Sequence, residues 1–243
     1  MNQFRSKILL SGVFCIIFFL PGYCQNLVNA DTAVFTFQKQ LFLQASVKQS
    51  RLKNGREYIP NPDYIKGTPY FESKTWAIGS IHYDGGLFEN ISMLYDMHKD
   101  EVVVLDFSLP NNLSLVRQKV KQFDIYNHVF VYVFPDALNN NIIEGFYDQL
   151  YAGKISILVK RRKNIVASSS NMDLDSKFVQ SDTYFLNKEG VLYPIKSQSS
   201  ILKLLKAKKS EIVQNLKRND INFRENPEKA MIKIAAYYDQ ITN

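Results

Sequence analysis

The sequence predicts an α+β domain: an antiparallel β-meander, shaped as a curved sheet or partial barrel, with an N-terminal helix before it and C-terminal helices after it. Apolar runs of strand length, separated by short polar turns, recur from Trp76 to Ile195. Apolar residues at helical spacing follow from Ser199 onwards. Since 46% of the residues are hydrophobic and 13% aromatic, the chain can fill one core, and strands followed by helices indicate one layered domain.

The start of the chain is typical of a secretory signal peptide. Two basic residues precede an apolar run from Ile8 to Leu20, and Pro21-Gly22 then interrupts it. A membrane-spanning helix needs about 20 apolar residues, and neither this run nor any later one reaches that length without charges. Cleavage after Cys24 predicts a signal peptide at 1–24 and a single β-rich domain at 25–243, secreted to the periplasm or the extracellular space.

Two alternatives to this cleavage stay open. The cut can fall nearer Ala30, or Cys24 can be acylated to give a membrane-anchored lipoprotein. Acylation requires a small residue just before the cysteine, where this chain has Tyr23, so the lipoprotein alternative fits less well. Because Cys15 and Cys24 are the only cysteines, the mature domain has no disulfide and is held together by its core.

The charge balance is mildly basic. The chain carries a formal net charge of +7, and removal of the signal leaves 28 basic against 23 acidic side chains, or +5. We interpret this excess as spread along the chain. In an exported protein it favours an anionic surface of the envelope over nucleic acid as a partner.

The densest basic run is Lys160, Arg161, Arg162 and Lys163. One interpretation of this run is a contact with an anionic surface of the envelope. The favoured interpretation is a solvated strand end or turn, where basic side chains discourage edge-to-edge aggregation. The lysines between Lys203 and Lys209 are interpreted as the exposed side of an amphipathic helix.

The N-terminal part of the mature chain is predicted to be a helix followed by an ordered loop. Asp31 or Thr32 can cap the helix, which continues to about Ala45, although Leu41–Leu43 also fits a strand. Three prolines then fall between Tyr58 and Pro69, and they favour an extended loop that lies over another part of the domain.

Strands and hairpins are predicted in the centre of the chain. Asp84-Gly85-Gly86 and Asn187–Gly190 indicate hairpin turns, because glycine accepts the positive φ that primed turns require. The segment Asn164–Lys177, with its run of serines, has few apolar anchors, and no strand is predicted there. The predicted strands are Trp76–Tyr83, Leu87–Tyr95, Glu101–Phe107, Val116–Phe123, Val129–Phe134, Gly145–Tyr151, Ile155–Val159, Tyr184–Leu186 and Val191–Ile195.

The end of the chain is predicted to be helical. Ser199 or Ser200 caps a first helix, and Ser210–Arg218 continues it with apolar residues at helical spacing. Pro227 fits the first turn of a last helix that runs through Asp239.

Turn and aromatic motifs recur along nearly the whole mature chain. They are Asn54-Gly55, Tyr58, Pro69-Tyr70-Phe71, Gly79-Ser80-Ile81, Tyr83-Asp84-Gly85, Tyr95-Asp96, Asp100, Val102, Gly145-Phe146-Tyr147-Asp148, Leu150-Tyr151, Gly153-Lys154 and Tyr237-Tyr238-Asp239. In these motifs the chain resembles an uncharacterised family of exported Bacteroidota-type envelope proteins. The resemblance implies export and the predicted architecture, and it assigns no catalytic residue.

Two triplets, His82-x-Asp84 and Asp96-x-His98-x-Asp100, contain residue types that bind metal ions. Residues two apart on a strand share a face, so each triplet can present its ligands together. If Gly85-Gly86 is the turn, however, the strand rise of about 3.3 Å per residue separates the triplets by more than about 20 Å. Polar turns are therefore the favoured interpretation, and no metal site is predicted.

No residue is assigned to catalysis or to cofactor binding. The mature chain has no cysteine nucleophile and no Gly-x-Ser-x-Gly elbow, and nothing in the sequence locates a Ser-His-Asp arrangement. The aromatic residues between Gly145 and Tyr151 are interpreted as core rather than as a ligand cleft.

The preferred hypothesis is therefore a non-catalytic envelope protein, either a binding module or a structural one. A carrier of a lipid-like ligand in a β half-barrel is one alternative, and it requires a large apolar cavity. An envelope hydrolase is another, and it requires His82, His98 or His128 in a cleft within hydrogen-bond reach of a carboxylate or hydroxyl.

Overall fold

The computed structural model describes residues 34–40, 50–105, 112–138, 142–170 and 173–242. The predicted signal peptide at 1–24, with both cysteines, lies outside them, as do the caps Asp31 and Thr32 and the segment Leu41–Leu43. The chain divides into two compact units, Met1–Ser46 and Val47–Asn243. In the first, helix α1 spans residues 34–40, so the short N-terminal helix is confirmed there.

The second unit contains an antiparallel sheet of eleven strands followed by three helices. The order across the sheet is β1-β5-β4-β3-β2-β6-β7-β8-β9-β10-β11. The predicted fold class, a β-rich α+β domain built on an open antiparallel sheet, is therefore confirmed. The strands are β1 Arg56–Glu57, β2 Ala77–Tyr83, β3 Gly86–Asp96, β4 Glu101–Val104, β5 Leu113–Ser114, β6 Val120–Ile125, β7 His128–Val133, β8 Gly145–Ala152, β9 Ile155–Ser170, β10 Asp173–Lys188 and β11 Val191–Ile195.

Two meanders build this sheet and meet at the pair β2–β6. Strands β2 to β5 run outward from that seam, and after β5 the chain returns to place β6 on the other side of β2. The hairpin turns form where they were predicted. Asp84 and Gly85 both have positive φ, at 48° and 76°, and Glu189 and Gly190 repeat the pattern at 55° and 82°.

The sheet curves strongly on itself. Four strands separate β3 from β9 in the sheet order, yet the turn after β3 contacts β9. The contact joins Asp100 Oδ2 of that turn to Lys160 Nζ of β9, at 2.9 Å. The proline-rich loop also joins distant strands, since the Lys66 backbone bonds to β10 and Tyr70 pairs with Asp96. Side chains far apart in sequence are thereby brought onto one concave face.

Aromatic side chains fill the concave side of β2–β8. Phe123 and Phe130 stack with ring centroids 4.9 Å apart, and Tyr95 and Phe146 contact them edge-on or tilted. All four rings are buried, and methionine and aliphatic side chains surround them. Such offset and edge-to-face contacts are the arrangements that aromatic rings prefer in a packed core.

Three helices complete the second unit: α2 at Gln198–Leu204, α3 at Lys209–Arg218 and α4 at Pro227–Ile241. Their apolar sides pack with strands β8 to β11 in a second core. Pro227 begins α4 as predicted. The cap of α2 is Ser197, which forms a capping box with Ser200, so the predicted cap at Ser199 or Ser200 is wrong by two residues or more.

Two predicted elements differ from the structure. A 3₁₀ turn at Arg117–Lys119 replaces the first part of the predicted strand Val116–Phe123, and the strand proper is Val120–Ile125. The segment Asn164–Lys177, for which no strand was predicted, belongs to a long hairpin in which sixteen residues of β9 pair with sixteen of β10. Backbone pairing of two long strands sustains this hairpin although its outer part has few buried apolar side chains.

Candidate functional site

The two triplets that contain metal-binding residue types lie at different turns of the sheet. Asp84 lies in the β2–β3 turn and forms an ion pair with Lys119 at 3.3 Å. Asp96 is the last residue of β3, and His98 and Asp100 lie in the turn to β4. The side chains of the three are bonded to different groups. Across the described residues, no group of three or more His, Cys, Asp or Glu side chains is placed to hold a metal ion.

Asp96 organises the loop that covers it. Its carboxylate is fully buried and accepts hydrogen bonds from the backbone of His98 and Lys99 at 2.8 and 2.9 Å. The other oxygen accepts from Tyr58 Oη at 2.7 Å and from Asn61 Nδ2 at 2.9 Å. Burial, together with the hydrogen bonds to Tyr70 and Asp96, raises the pKa of Tyr58 well above its usual value. Asp96 therefore has a structural role, which is to fix the proline-rich loop on the sheet.

Asp100 anchors a buried ion pair at the start of β8. It accepts hydrogen bonds from Lys160 Nζ at 2.9 Å and from Tyr95 Oη at 2.7 Å. Lys160 is 3% exposed, and burial lowers its pKa while Asp100 opposes that change. Gly145 makes room for the pair, because a Cβ at that position would lie 1.8 Å from Asp100 Oδ2.

Arg161 lies at the centre of a second, larger cluster. Its Nε and Nη2 are each 2.7 Å from Asp148 Oδ2, and Nη1 is 3.0 Å from both Asp182 Oδ2 and Glu228 Oε1. Burial opposes the charge of Arg161, but Glu228 and Asp148 outweigh it and raise the pKa of the guanidinium. The cluster ties β8, β9 and β10 to the first turn of α4.

His128 completes this cluster, with Nδ1 2.8 Å from Asp148 Oδ2. It thus meets one condition set for the hydrolase alternative, namely a carboxylate within reach. The same carboxylate oxygen is held by Arg161, however, and in the described part of the chain no serine or threonine hydroxyl is bonded to the ring. His98 instead contacts the backbone oxygen of Lys163 at 2.9 Å. The geometry is that of an ion network rather than a nucleophile with its base.

The stability of the protein should depend on pH through His128. The hydrogen bond that His128 Nδ1 donates to Asp148 raises the pKa of His128 above its usual 6.5, against an opposing effect of burial. Protonation therefore stabilises the fold: the contribution is fully present below pH 6.5 and is lost as the pH rises through the raised pKa. We expect His128→Gln to remove this pH dependence, measured as urea midpoints across neutral pH. If the urea midpoints of the wild type and of His128→Gln changed with pH in parallel, this prediction would be contradicted.

The basic run at Lys160–Lys163 is not the solvated strand end that its composition indicated. Lys160 and Arg161 are 3% and 6% exposed, so that interpretation is wrong for these two residues. The curvature of the sheet brings Asp100 of the β3–β4 turn to Lys160. Arg161 is instead paired by Asp148 and Asp182 of the neighbouring strands and by Glu228 of α4. Lys163 donates to the backbone oxygen of Tyr70 at 2.6 Å, and Arg162 is the exposed member of the run.

The aromatic residues near Gly145 belong to the core, as interpreted from the sequence. Phe146 and Tyr147 are fully buried. Tyr151 lies nearer the surface and donates to Asp239 Oδ2 of α4 at 3.0 Å. Asp239 also accepts from the backbone of Lys154 at 2.8 Å, so it joins the end of α4 to the β8–β9 turn.

The basic excess of the chain is concentrated in one segment rather than spread along it. Residues 196–224, which comprise α2, α3 and the loop to α4, hold eight cations and two carboxylates, a net charge of +6. In the rest of the chain from Gln25 onwards, 20 cations stand against 21 carboxylates. We call residues 196–224 the basic helical segment. A count of charge in a sliding window would have found it in the sequence.

A cleft of about 630 Å³ opens in this segment. Three cations, Lys196, Lys209 and Arg224, line it together with polar and apolar side chains, and no carboxylate is among its lining residues. The other lining residues are Ser197, Gln198, Ser199, Leu202, Phe223 and Pro227. A concave surface that gathers cations without counter-charges is the feature of the described residues that points most directly to a ligand.

None of the described helices is long and apolar enough to cross a membrane. Comparisons of the chain with protein-family models, with curated proteins and with solved structures found no match.

Proposed function

We propose that this chain is an exported, non-catalytic protein of the cell envelope and that its basic helical segment binds an acidic polymer. The observation that supports this proposal most strongly is the charge distribution. Residues 196–224 have a net charge of +6 within 29 residues, and the rest of the chain after the predicted signal is close to neutral. Clustered cations bind polyanions by releasing the counterions that the polymer holds. The segment lies on packed helices, so its cations are presented by a rigid scaffold.

An acidic polymer fits this segment better than a membrane surface does. Binding in a lipid interface uses large apolar side chains inserted beside the cations. Among the described residues, the large hydrophobic side chains that are exposed all lie outside residues 196–224. The apolar side chains of α2 and α3 instead pack into the second core. The proposal therefore commits to a polymer in aqueous surroundings.

The two alternatives have less support. A lipid carrier needs a large apolar cavity, whereas aromatic rings fill the concave side of the sheet. A hydrolase needs a nucleophile or an activated water beside His128, whose partner Asp148 is held by Arg161.

Export and the family resemblance rest on the sequence motifs alone. Mass spectrometry of the natively purified N-terminus tests export: a start at Gln25 or a lipid on Cys24 supports it, and an intact Met1 contradicts it.

Charge reversal on the basic helical segment should weaken polymer binding strongly. We expect Lys203→Glu, Lys206→Glu and Lys217→Glu together to weaken binding to polygalacturonate by at least about tenfold, because three exposed cations become repulsive. The measurement is the dissociation constant of residues 25–243 with this polymer at low salt.

The matched control reverses three exposed lysines elsewhere, Lys74, Lys121 and Lys177, which makes the same change in net charge. We expect this variant to bind within about threefold of the wild type. Equal losses in both variants would mean that only net charge matters, and that result would contradict the proposal. Binding to vesicles with anionic lipids but not to the polymer would contradict it as well.

A further inference from the structure

We propose that the cleft between α2 and the start of α4 is a subsite for one or a few anionic sugar units, carrying a carboxylate or a phosphate. This inference deepens the proposed function and rests on it. It concerns a discrete recognition site within the basic helical segment, whereas the segment as a whole supplies long-range attraction.

The cations of the cleft are free to bind a ligand. Lys196, Lys209 and Arg224 are exposed, and none forms an ion pair with another described residue. This differs from Lys208 on the same segment, which pairs with Glu211 at 3.1 Å. The guanidinium of Arg224 can hold a carboxylate or a phosphate through two parallel hydrogen bonds, a geometry that a lysine does not provide.

The remaining lining matches a sugar better than a bare ion. Phe223, Leu202 and Pro227 present an apolar wall, and the C–H face of a sugar ring packs on such a surface. Gln198 and Ser199 lie on the same cleft and supply side-chain donors and acceptors for hydroxyl groups. An inorganic anion would use the cations and leave the apolar wall in water.

The cleft is preformed by contacts that fix the elements forming its walls. The Ser197–Ser200 capping box fixes the start of α2, and Asn226 caps α4 by accepting from the backbone of Lys229 at 2.9 Å. Glu228, next to Pro227, pairs with the buried Arg161 at 3.0 Å. Walls held in this way lose little freedom on binding, which favours affinity for a small ligand.

The test is a titration of residues 25–243 with three probes: trigalacturonate, neutral maltotriose and inorganic phosphate. We expect trigalacturonate to bind at least about tenfold more tightly than either of the others, because it alone uses both the cations and the apolar wall. Equal affinity for trigalacturonate and phosphate would overturn the inference, and so would equal affinity for the two trisaccharides.

Two variants test whether trigalacturonate binds in this cleft. Phe223→Leu keeps an apolar side chain in the second core but removes the ring, and we expect it to weaken trigalacturonate binding about fivefold. Arg224→Gln, at an exposed position, should weaken it about tenfold. Each variant is first checked for an unchanged unfolding midpoint. Wild-type affinity in both variants, with the fold intact, would overturn the inference.

The Lys203→Glu, Lys206→Glu, Lys217→Glu protein separates this inference from the proposed function. None of these three lysines lines the cleft, so trigalacturonate should still bind within about threefold of wild type while polymer binding is strongly weakened. If the wild type binds the polymer but not trigalacturonate, the subsite is wrong and the proposed function stands. If it binds trigalacturonate but not the polymer, the proposed function is wrong.

Discussion

Replacement of Arg161 by methionine should lower the free energy of unfolding by about 3–5 kcal/mol, the cost of leaving a buried charge without its partner. Asp148 is 1% exposed, and its Oδ2 receives both Nε and Nη2 of Arg161. Methionine keeps an unbranched apolar side chain but removes the charge and all the hydrogen-bond donors of the guanidinium. Asp182 and Glu228 would also lose the cation between them. Equilibrium unfolding in urea, followed by circular dichroism, measures the change.

The adjacent arginine provides the control. Arg162 is exposed, so Arg162→Met should change the free energy of unfolding by less than about 0.5 kcal/mol. The two variants change the same residue type at neighbouring positions and differ in burial. If they proved equally stable, the cluster around Arg161 would not hold the strands and α4 together as the geometry indicates.

Replacement of Gly145 by alanine should be comparably damaging, at about 3–5 kcal/mol, because it breaks a buried ion pair. The new Cβ would lie 1.8 Å from Asp100 Oδ2 and 2.6 Å from Lys160 Nζ, so the charged ends of this pair must shift from their positions. The backbone adds to the cost, since Gly145 has a φ of +133°, where side chains are rarely tolerated. Thermal unfolding measures the loss.

Gly190→Ala is the control for Gly145→Ala, because it measures the cost of backbone strain without the contact between the new Cβ and the ion pair. Gly190 also has a positive φ, at +82°, but a Cβ there meets no atom within 4 Å. We expect this variant to lose about 1 kcal/mol from backbone strain alone. A similar small loss in Gly145→Ala would show that the Asp100–Lys160 pair adjusts without cost, contrary to the packing described above.

Local features of the fold were predictable because they depend on neighbouring residues. Asp84-Gly85 and Glu189-Gly190 form the predicted turns, because Gly85 and Gly190 readily adopt the positive φ that these turns require. The outer part of the β9–β10 hairpin was missed for the opposite reason. Its apolar residues Ile165, Val166 and Val179 are exposed, and two of them are adjacent, so the pairing with the opposite strand is not visible as hydrophobic alternation.

The buried ion pairs were not predictable from the sequence. Sixty positions separate Asp100 from Lys160, and only the curvature of the sheet brings them together. In the sequence, Lys160-Arg161 looks like any exposed basic run, whereas alternation along β9 sends the two side chains to opposite faces. The basic helical segment was predictable, because its net charge is a local property. It was missed when the charge of the whole mature chain was treated as one number.

The salt dependence of polymer binding tests the proposed function most directly. Residues 25–243 would be titrated with polygalacturonate at salt concentrations from about 50 to 300 mM, and the logarithm of the affinity plotted against that of the salt concentration. A clustered cationic site predicts a steep decline, with one released counterion for each cation engaged. A flat plot, or no binding at the lowest salt concentration, would contradict the claim that residues 196–224 bind a polyanion.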